Sequence, residues 1–296
     1  MAGSPSKFDV TAEDGRRLVV LDAGASDALT VLMHMGTPNG LAPLPPSFVP
    51  AFRGLRPVFY ARPGYDESTR QPGRSVADVV SDTGAILKVL GVEEFATVGW
   101  SGGGPHALAC AALLPERCLA TSLIASVIPY TEAVELRSWY ENDEDMQLLL
   151  AGDLDGFEAR CDQFATQHAH DQAADIPGWF SCEVDKACMT GDYAEWMAAY
   201  VRSAYAAGGA GSGDDFVAFV RDWAFDLDDA GGVTIWHGDL DQNAPLEFGR
   251  WLEQRLPGSQ LRILEGEGHM SIALHMGDIL DELLARAGRV RSTPDS

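Results

Sequence analysis

The stretch Phe95-Ala96-Thr97-Val98-Gly99-Trp100-Ser101-Gly102-Gly103 decides the fold of this 296-residue chain. Residues 95–99 predict a buried β-strand, and the apolar run 105–114 beyond the glycines predicts a helix. The pattern Gly-x-Ser-x-Gly between a strand and a helix is typical of a sharp turn that exposes the serine hydroxyl. Glycines are required on both sides of the serine because a Cβ there would collide with neighbouring atoms. The sequence therefore predicts that Ser101 is a nucleophile.

A glycine-rich turn of this kind can instead hold a phosphate group. A phosphate-binding loop would carry the pattern Gly-x-x-x-x-Gly-Lys-Ser/Thr, and no lysine lies in this stretch. The nucleophile interpretation of Ser101 is therefore favoured.

Short apolar or β-branched runs alternate with helical patterns over the first part of the chain, which is typical of a βαβ sheet. Strands are predicted at residues 17–21, 29–34, 57–61, 95–100, 119–126, 233–236 and 261–264. Helices are predicted at residues 75–90, 105–114 and 272–287, and unstructured tails at 1–7 and 291–296. The fold class is α/β, with a core formed by residues 1–127 and 232–296.

Residues 128–231 show no strand pattern and predict several short helices inserted into that core. Within them, residues 206–215 are rich in Gly, Ala and Ser, so a flexible loop is expected there.

Charge and composition limit the classes of function. The chain has 21 basic and 44 acidic residues, a formal net charge of −23, so it would repel nucleic-acid backbones and anionic membrane surfaces. Its longest apolar run has eight residues, far fewer than the roughly 20 of a membrane-spanning helix. Five cysteines without paired spacing, and an N-terminus without an apolar signal segment, predict a reduced, cytoplasmic protein. The expected partner is a small-molecule substrate.

Two loops after later strands carry the residues that would activate Ser101. A serine hydroxyl needs a general base, and the base needs an orienting acid. The strand at 233–236 runs into His237-Gly238-Asp239-Leu240-Asp241, and the strand at 261–264 runs into Glu265-Gly266-Glu267-Gly268-His269. Because both loops follow the carboxyl ends of strands, we expect them at the sheet edge that also carries Ser101.

The chain order Ser101, Asp241, His269 resembles that of the α/β-hydrolase fold superfamily. The resemblance covers the core segments 8–127 and 232–287. It implies a mostly parallel central sheet flanked by helices, with residues 128–231 forming a helical cap inserted after the sixth strand. It also implies that the acid is Asp241, the last residue of a Gly-x-x-Asp motif, although Asp239 remains an alternative.

The same resemblance implies an oxyanion hole made of two backbone N–H groups. One belongs to Gly102, the residue after the nucleophile. The other belongs to Thr37, in the stretch His34-Met35-Gly36-Thr37-Pro38, which is similar to the family's His-Gly-x-Pro motif but has Met35 in the place of the usual histidine. The turn Arg62-Pro63-Gly64-Tyr65-Asp66 resembles a further family motif, whose role is structural more often than catalytic.

Together these residues imply a serine hydrolase that cleaves a small-molecule ester, thioester or amide through an acyl-enzyme. Ser101 attacks, His269 is the general base and Asp241 orients it. This chemistry requires neither a metal ion nor an organic cofactor. The expected class is a carboxylic ester or amide hydrolase.

The predicted cap has an unusual composition, with 22 acidic and five basic residues and many aromatic side chains. Substrate-binding candidates are Trp100, next to the nucleophile, and Trp139, Trp179 and Trp223 of the cap. Family members that resemble proline iminopeptidase use cap carboxylates to hold the free α-amino group of the substrate. An aminopeptidase is therefore one alternative function. A small-molecule binding protein with little or no catalysis on the same fold is another.

Overall fold

The computed structural model describes residues 5–24 and 27–289, which fold around one eight-stranded sheet. The strands are β1 (Ser6–Thr11), β2 (Arg17–Asp22), β3 (Leu29–His34), β4 (Leu55–Tyr60), β5 (Phe95–Trp100), β6 (Cys118–Ile124), β7 (Thr234–Gly238) and β8 (Gln260–Leu264). Their order in the sheet is β1-β2-β4-β3-β5-β6-β7-β8. β2 pairs antiparallel with β1 and with β4, and all the other pairs are parallel. The predicted α/β class and mostly parallel sheet are therefore confirmed.

Burial on both faces explains the apolar runs that predict the central strands. Every residue of β4 and β5 is buried, as is usual where helices cover both faces of a parallel sheet. The predicted strands agree with the observed ones to within two residues at each end.

The N-terminal strand β1 carries no such signal. It lies at the sheet edge, and Val10 is its one fully buried residue, so no apolar run marks it. Ser6 and Lys7, expected in an unstructured tail, therefore belong to the sheet. The rest of the predicted tails, except Pro5, lies outside the described residues.

Ten α-helices occur in the described residues. They are α1 (Val79–Leu90), α2 (Gly104–Leu113), α3 (Ser138–Glu141), α4 (Glu144–Leu150), α5 (Leu154–His168), α6 (Glu183–Cys188), α7 (Gly191–Ala204), α8 (Ala210–Val220), α9 (Leu246–Arg255) and α10 (Met276–Arg286). None of these helices is long and apolar enough to span a membrane.

Two hydrophobic clusters cover the two faces of the sheet. Alternate side chains of β3 serve both: Val31 packs in the cluster that contains Leu283 of α10, and Leu32 packs in the cluster that contains Ile86 of α1 and Leu108 of α2. The sheet is thus covered by helices on both sides, as the fold class requires.

The helix predicted at 75–90 begins at Val79 instead. The Asp78 carboxylate accepts hydrogen bonds from the Ser75 N–H and hydroxyl, at 2.6 and 2.9 Å, which closes a turn before the helix. The helix ends before Gly91, whose φ of 66° is a left-handed cap conformation that favours glycine. Similarly, the helix predicted at 272–287 is divided into a 3₁₀ turn, Ser271–His275, and α10.

Helices α3–α8 follow the sixth strand and lie within residues 128–231, the segment predicted to be the cap. The flexible loop expected at 206–215 is wrong for its second half, since α8 begins at Ala210. The small residues reflect close packing there: a Cβ on Gly211 would lie 2.7 Å from the Gly64 carbonyl oxygen, and one on Gly209 would overlap Cys161. Asp214 and Asp215 are consequently buried in α8.

Candidate active site

Ser101 stands at a strained turn between β5 and α2. Its φ is 53°, a left-handed conformation that non-glycine residues seldom adopt. The glycines around it leave room for this turn. A Cβ on Gly99 would lie 2.6 Å from the Gly103 carbonyl oxygen, and one on Gly103 would overlap the His34 carbonyl. The turn therefore requires glycine at both positions, since no side chain larger than hydrogen fits there.

The candidate acid and base follow β7 and β8. His269 Nδ1 lies 2.8 Å from Asp241 Oδ2, and the other carboxylate oxygen of Asp241 accepts the N–H groups of Asn243 and Ala244, both at 2.8 Å. These backbone donors fix the carboxylate in place. Next to it, His237 Nε2 donates to the Ala244 carbonyl at 2.7 Å, which stabilises the same loop.

The charges of this pair shift both pKa values. Burial favours the neutral imidazole, but the Asp241 carboxylate outweighs it and raises the pKa of His269 above its usual value. Burial likewise disfavours the Asp241 anion, yet His269 and the backbone donors hold the pKa of Asp241 below its usual value. Asp241 is therefore ionised at neutral pH.

Asp239, the alternative acid, lies elsewhere. Its carboxylate accepts the N–H of Gly266 at 2.7 Å and joins the loops after β7 and β8 at the surface. The structure thus brings Asp241 to His269 and gives Asp239 a loop contact.

The loop after β3 brings Thr37 next to the nucleophile turn. A Cβ on Gly36 would lie 3.4 Å from the Ser101 Cβ, and one on Gly102 would lie 2.5 Å from Thr37 Oγ1. The Thr37–Pro38 peptide bond is cis. His34 does not reach the cavity: it is buried, with Nδ1 2.9 Å from the Tyr60 hydroxyl, and burial lowers its pKa well below the usual value.

A buried ion cluster that the sequence pattern does not reveal holds this loop. Arg62 donates to the carbonyl oxygens of Met35 and Gly36, at 2.5 and 2.8 Å. It also pairs with the Asp215 carboxylate of α8 at 2.6 Å, and Thr37 Oγ1 donates to the same carboxylate at 2.8 Å. Arg62, in the turn that resembles a family motif, thus ties the loop after β3 to α8.

Asp215 also pairs with a second arginine, Arg74, at 2.7 Å. Burial disfavours the Asp215 anion, but the two arginines hold its pKa well below the usual value. In the sequence, Asp215 is one of two adjacent acids that follow small residues, and such acids usually lie at the surface. Nothing in that pattern indicates a buried ion pair.

A cavity of about 770 Å³ lies between the core and the cap. Four of the predicted catalytic and oxyanion-hole residues line it: Ser101, His269, Thr37 and Gly102. Most of the rest of its wall is apolar or aromatic, as is usual for small-molecule sites. No group of three or more metal-ligating side chains occurs among residues 5–24 and 27–289.

Three of the four predicted tryptophans, Trp100, Trp139 and Trp179, line this cavity. Trp223 does not. It is buried in the hydrophobic cluster that contains Ile86 and Leu108. There its Nε1 donates to the Phe219 carbonyl at 3.2 Å, and its ring stacks on Phe225. Its place near the cavity was expected from composition alone, which does not distinguish packing aromatics from lining ones.

Comparison with known proteins agrees with this architecture. Similar solved structures include an esterase from Thermogutta terrifontis (17% identity, TM-score 0.64, 95% of this chain and 99% of that chain). Others are a bromoperoxidase from Bacillus anthracis (21%, 0.61, 96% and 100%) and epoxide hydrolase A from Mycobacterium thermoresistibile (18%, 0.66, 95% and 98%). At these identities the likeness concerns the fold alone.

A search of curated proteins finds no match to this chain. The model of the alpha/beta hydrolase fold family matches residues 30–275, most of the sequence. The chain therefore belongs to the α/β-hydrolase fold family.

Proposed function

We propose that the protein is a serine hydrolase that cleaves a small-molecule ester, thioester or amide through an acyl-enzyme. The observation that carries this proposal is the 2.8 Å contact between His269 Nδ1 and Asp241, with His269 and Ser101 lining one cavity. A carboxylate only accepts hydrogen bonds, so it selects the tautomer with the proton on Nδ1. Nε2 is then the free acceptor for the proton of Ser101.

In this reaction the Ser101 oxygen attacks the substrate carbonyl while His269 takes the hydroxyl proton. Asp241 stabilises the imidazolium, and the N–H groups of Gly102 and Thr37 stabilise the negative oxygen. The imidazolium then gives its proton to the departing alcohol, thiol or amine. Water, deprotonated by His269, finally releases the acid from Ser101.

The wall of the cavity favours an uncharged substrate with an apolar group. Its charged cap residues are few, namely Asp143, Asp145 and Arg160, and Asp145 pairs with Arg160 at 2.6 Å. Asp143 uses one carboxylate oxygen to accept the N–H groups of Asp145 and Met146 at the start of α4. The mostly apolar wall therefore favours an ester or amide hydrolase over the iminopeptidase-like alternative.

Labelling with a fluorophosphonate, read from the mass of the intact protein, tests the proposal. We expect one adduct on the wild type and none on His269→Ala, since the hydroxyl is inert without its base. A folded wild type that takes no adduct would contradict the proposal and favour the small-molecule binding protein.

The pH dependence of labelling follows from the His269 pKa. Protonated His269 cannot accept the Ser101 proton, so the rate falls as the pH drops through its pKa. Because Asp241 raises this pKa, we expect the midpoint of the fall above pH 6.5. In Asp241→Asn the midpoint moves to lower pH, whereas in the control Asp239→Asn it stays in place. A midpoint that moves only with Asp239 would assign the orienting role to that residue.

A further inference from the structure

Asp185 of helix α6 is a cap carboxylate with no exposed surface. It accepts three backbone N–H groups of the loop that carries the candidate base: His269 at 3.0 Å, Met270 at 2.8 Å and Ser271 at 2.9 Å. Hydrogen bonds to a charged acceptor are about twice as strong as those between neutral groups. A side chain of the cap thus fixes the backbone of a loop of the core.

The loop is shaped to receive this carboxylate. A Cβ on Gly268 would lie 2.5 Å from an Asp185 oxygen, so a glycine precedes His269. The Gly268 N–H donates to the Ser271 hydroxyl at 2.8 Å, and the Tyr193 hydroxyl of α7 donates to the Met270 carbonyl at 3.1 Å. The N–H groups of residues 268–271 and the Met270 carbonyl therefore all have hydrogen-bond partners, either in the cap or within the turn.

We propose that Asp185 is a positioning residue, which holds the His269 backbone so that the imidazole faces Asp241 and Ser101 together. This inference depends on the proposed hydrolase function. Asp241 orients the imidazole by contacting its Nδ1, whereas Asp185 fixes the backbone from which the His269 side chain extends. A displacement of about 1 Å in a reacting group lowers the rate by about 10²-fold, so this anchor matters for catalysis.

The charge of Asp185 also affects the candidate base, because it raises the pKa of His269. After the Asp241 carboxylate, it is a further charge that raises the pKa of His269 against the effect of burial. His237 also faces Asp241, with Nε2 3.6 Å from Oδ2, the oxygen that contacts His269, and burial lowers the pKa of His237. Loss of the Asp185 charge therefore moves the pKa of His269 downward.

The test is the rate of fluorophosphonate labelling of Ser101 as a function of pH in Asp185→Asn. The amide keeps the shape but removes the charge and one acceptor. We expect labelling to slow by about 10- to 100-fold and its acid midpoint to move to lower pH. The matched control is Asp214→Asn, another buried cap carboxylate, which binds Arg70 and Arg74 instead. It should lose stability with the rate and midpoint unchanged.

The outcomes separate this inference from the proposed function. A wild type without an adduct removes the hydrolase proposal and the inference with it. A wild type that labels, next to folded Asp185→Asn with the same rate and midpoint, overturns the role of Asp185 alone. Gly268→Ala decides the question if Asp185→Asn does not fold, because its methyl group pushes the loop off the carboxylate with every charge retained. It should slow labelling, and an unchanged rate would also overturn the inference.

Discussion

Changing Ser101 to alanine is expected to reduce hydrolysis by about 10⁶-fold, the scale of loss when the nucleophile of a serine triad is removed. No other hydroxyl occupies the turn, and His269 has no proton to accept once the oxygen is gone. The fold should survive, because the change only removes the hydroxyl and leaves the Cβ where the backbone already accommodates it.

The measurement is the hydrolysis of an activated aryl ester by Ser101→Ala and by the control Ser122→Ala. Ser122 is a buried serine on the neighbouring strand β6, outside the cavity wall, so its loss should leave the rate unchanged. Equal rates in Ser101→Ala and the wild type would show that the nucleophile is another group.

Changing Asp215 to alanine is expected to lower the free energy of unfolding by about 3 to 5 kcal/mol, the cost of breaking a buried ion pair from one side. The Arg62 and Asp215 side chains are 1% and 0% exposed, so the arginines would keep their charge without water or a partner. Tyr65 and Thr37, which donate to this carboxylate at 2.7 and 2.8 Å, would lose their acceptor as well.

Chemical denaturation of Asp215→Ala measures this loss, and Glu183→Ala is the matched control. Glu183 is an exposed acid of the cap that pairs with Lys186 at 2.7 Å, and exposed pairs contribute less than about 1 kcal/mol. If both variants unfold at the same denaturant concentration, the Asp215 cluster does not stabilise the fold as argued.

The sequence predicts the sheet of the core, and it proposes candidate site residues beside that sheet, because the relevant constraints are local. The turn at Ser101 is specified by glycines within a few residues of it, and the central strands are specified by runs that must be buried on both faces. The loops with Asp241 and His269 follow such strands directly, so their position at the sheet edge follows from the topology.

What the sequence does not predict depends on contacts between distant segments. Asp185 binds His269 across 84 positions, and Asp215 binds Arg62 across 153, so no spacing rule marks either acid among the many of the cap. Likewise, the glycines of α8 resemble those of a loop, and only the backbone packed against them reveals a helix. Trp223 differs from Trp139 only in what surrounds it.

The contacts of Asp185 also make three amide protons sensitive to motion of the cap. The N–H groups of His269, Met270 and Ser271 belong to the core, but their acceptor belongs to α6. Any excursion that withdraws α6 would let these protons exchange with deuterated water, whereas amides within β5 would stay protected. Their exchange would thus measure the free energy of opening. Exchange as slow as that of β5 would mean that α6 leaves this loop only when the core itself unfolds.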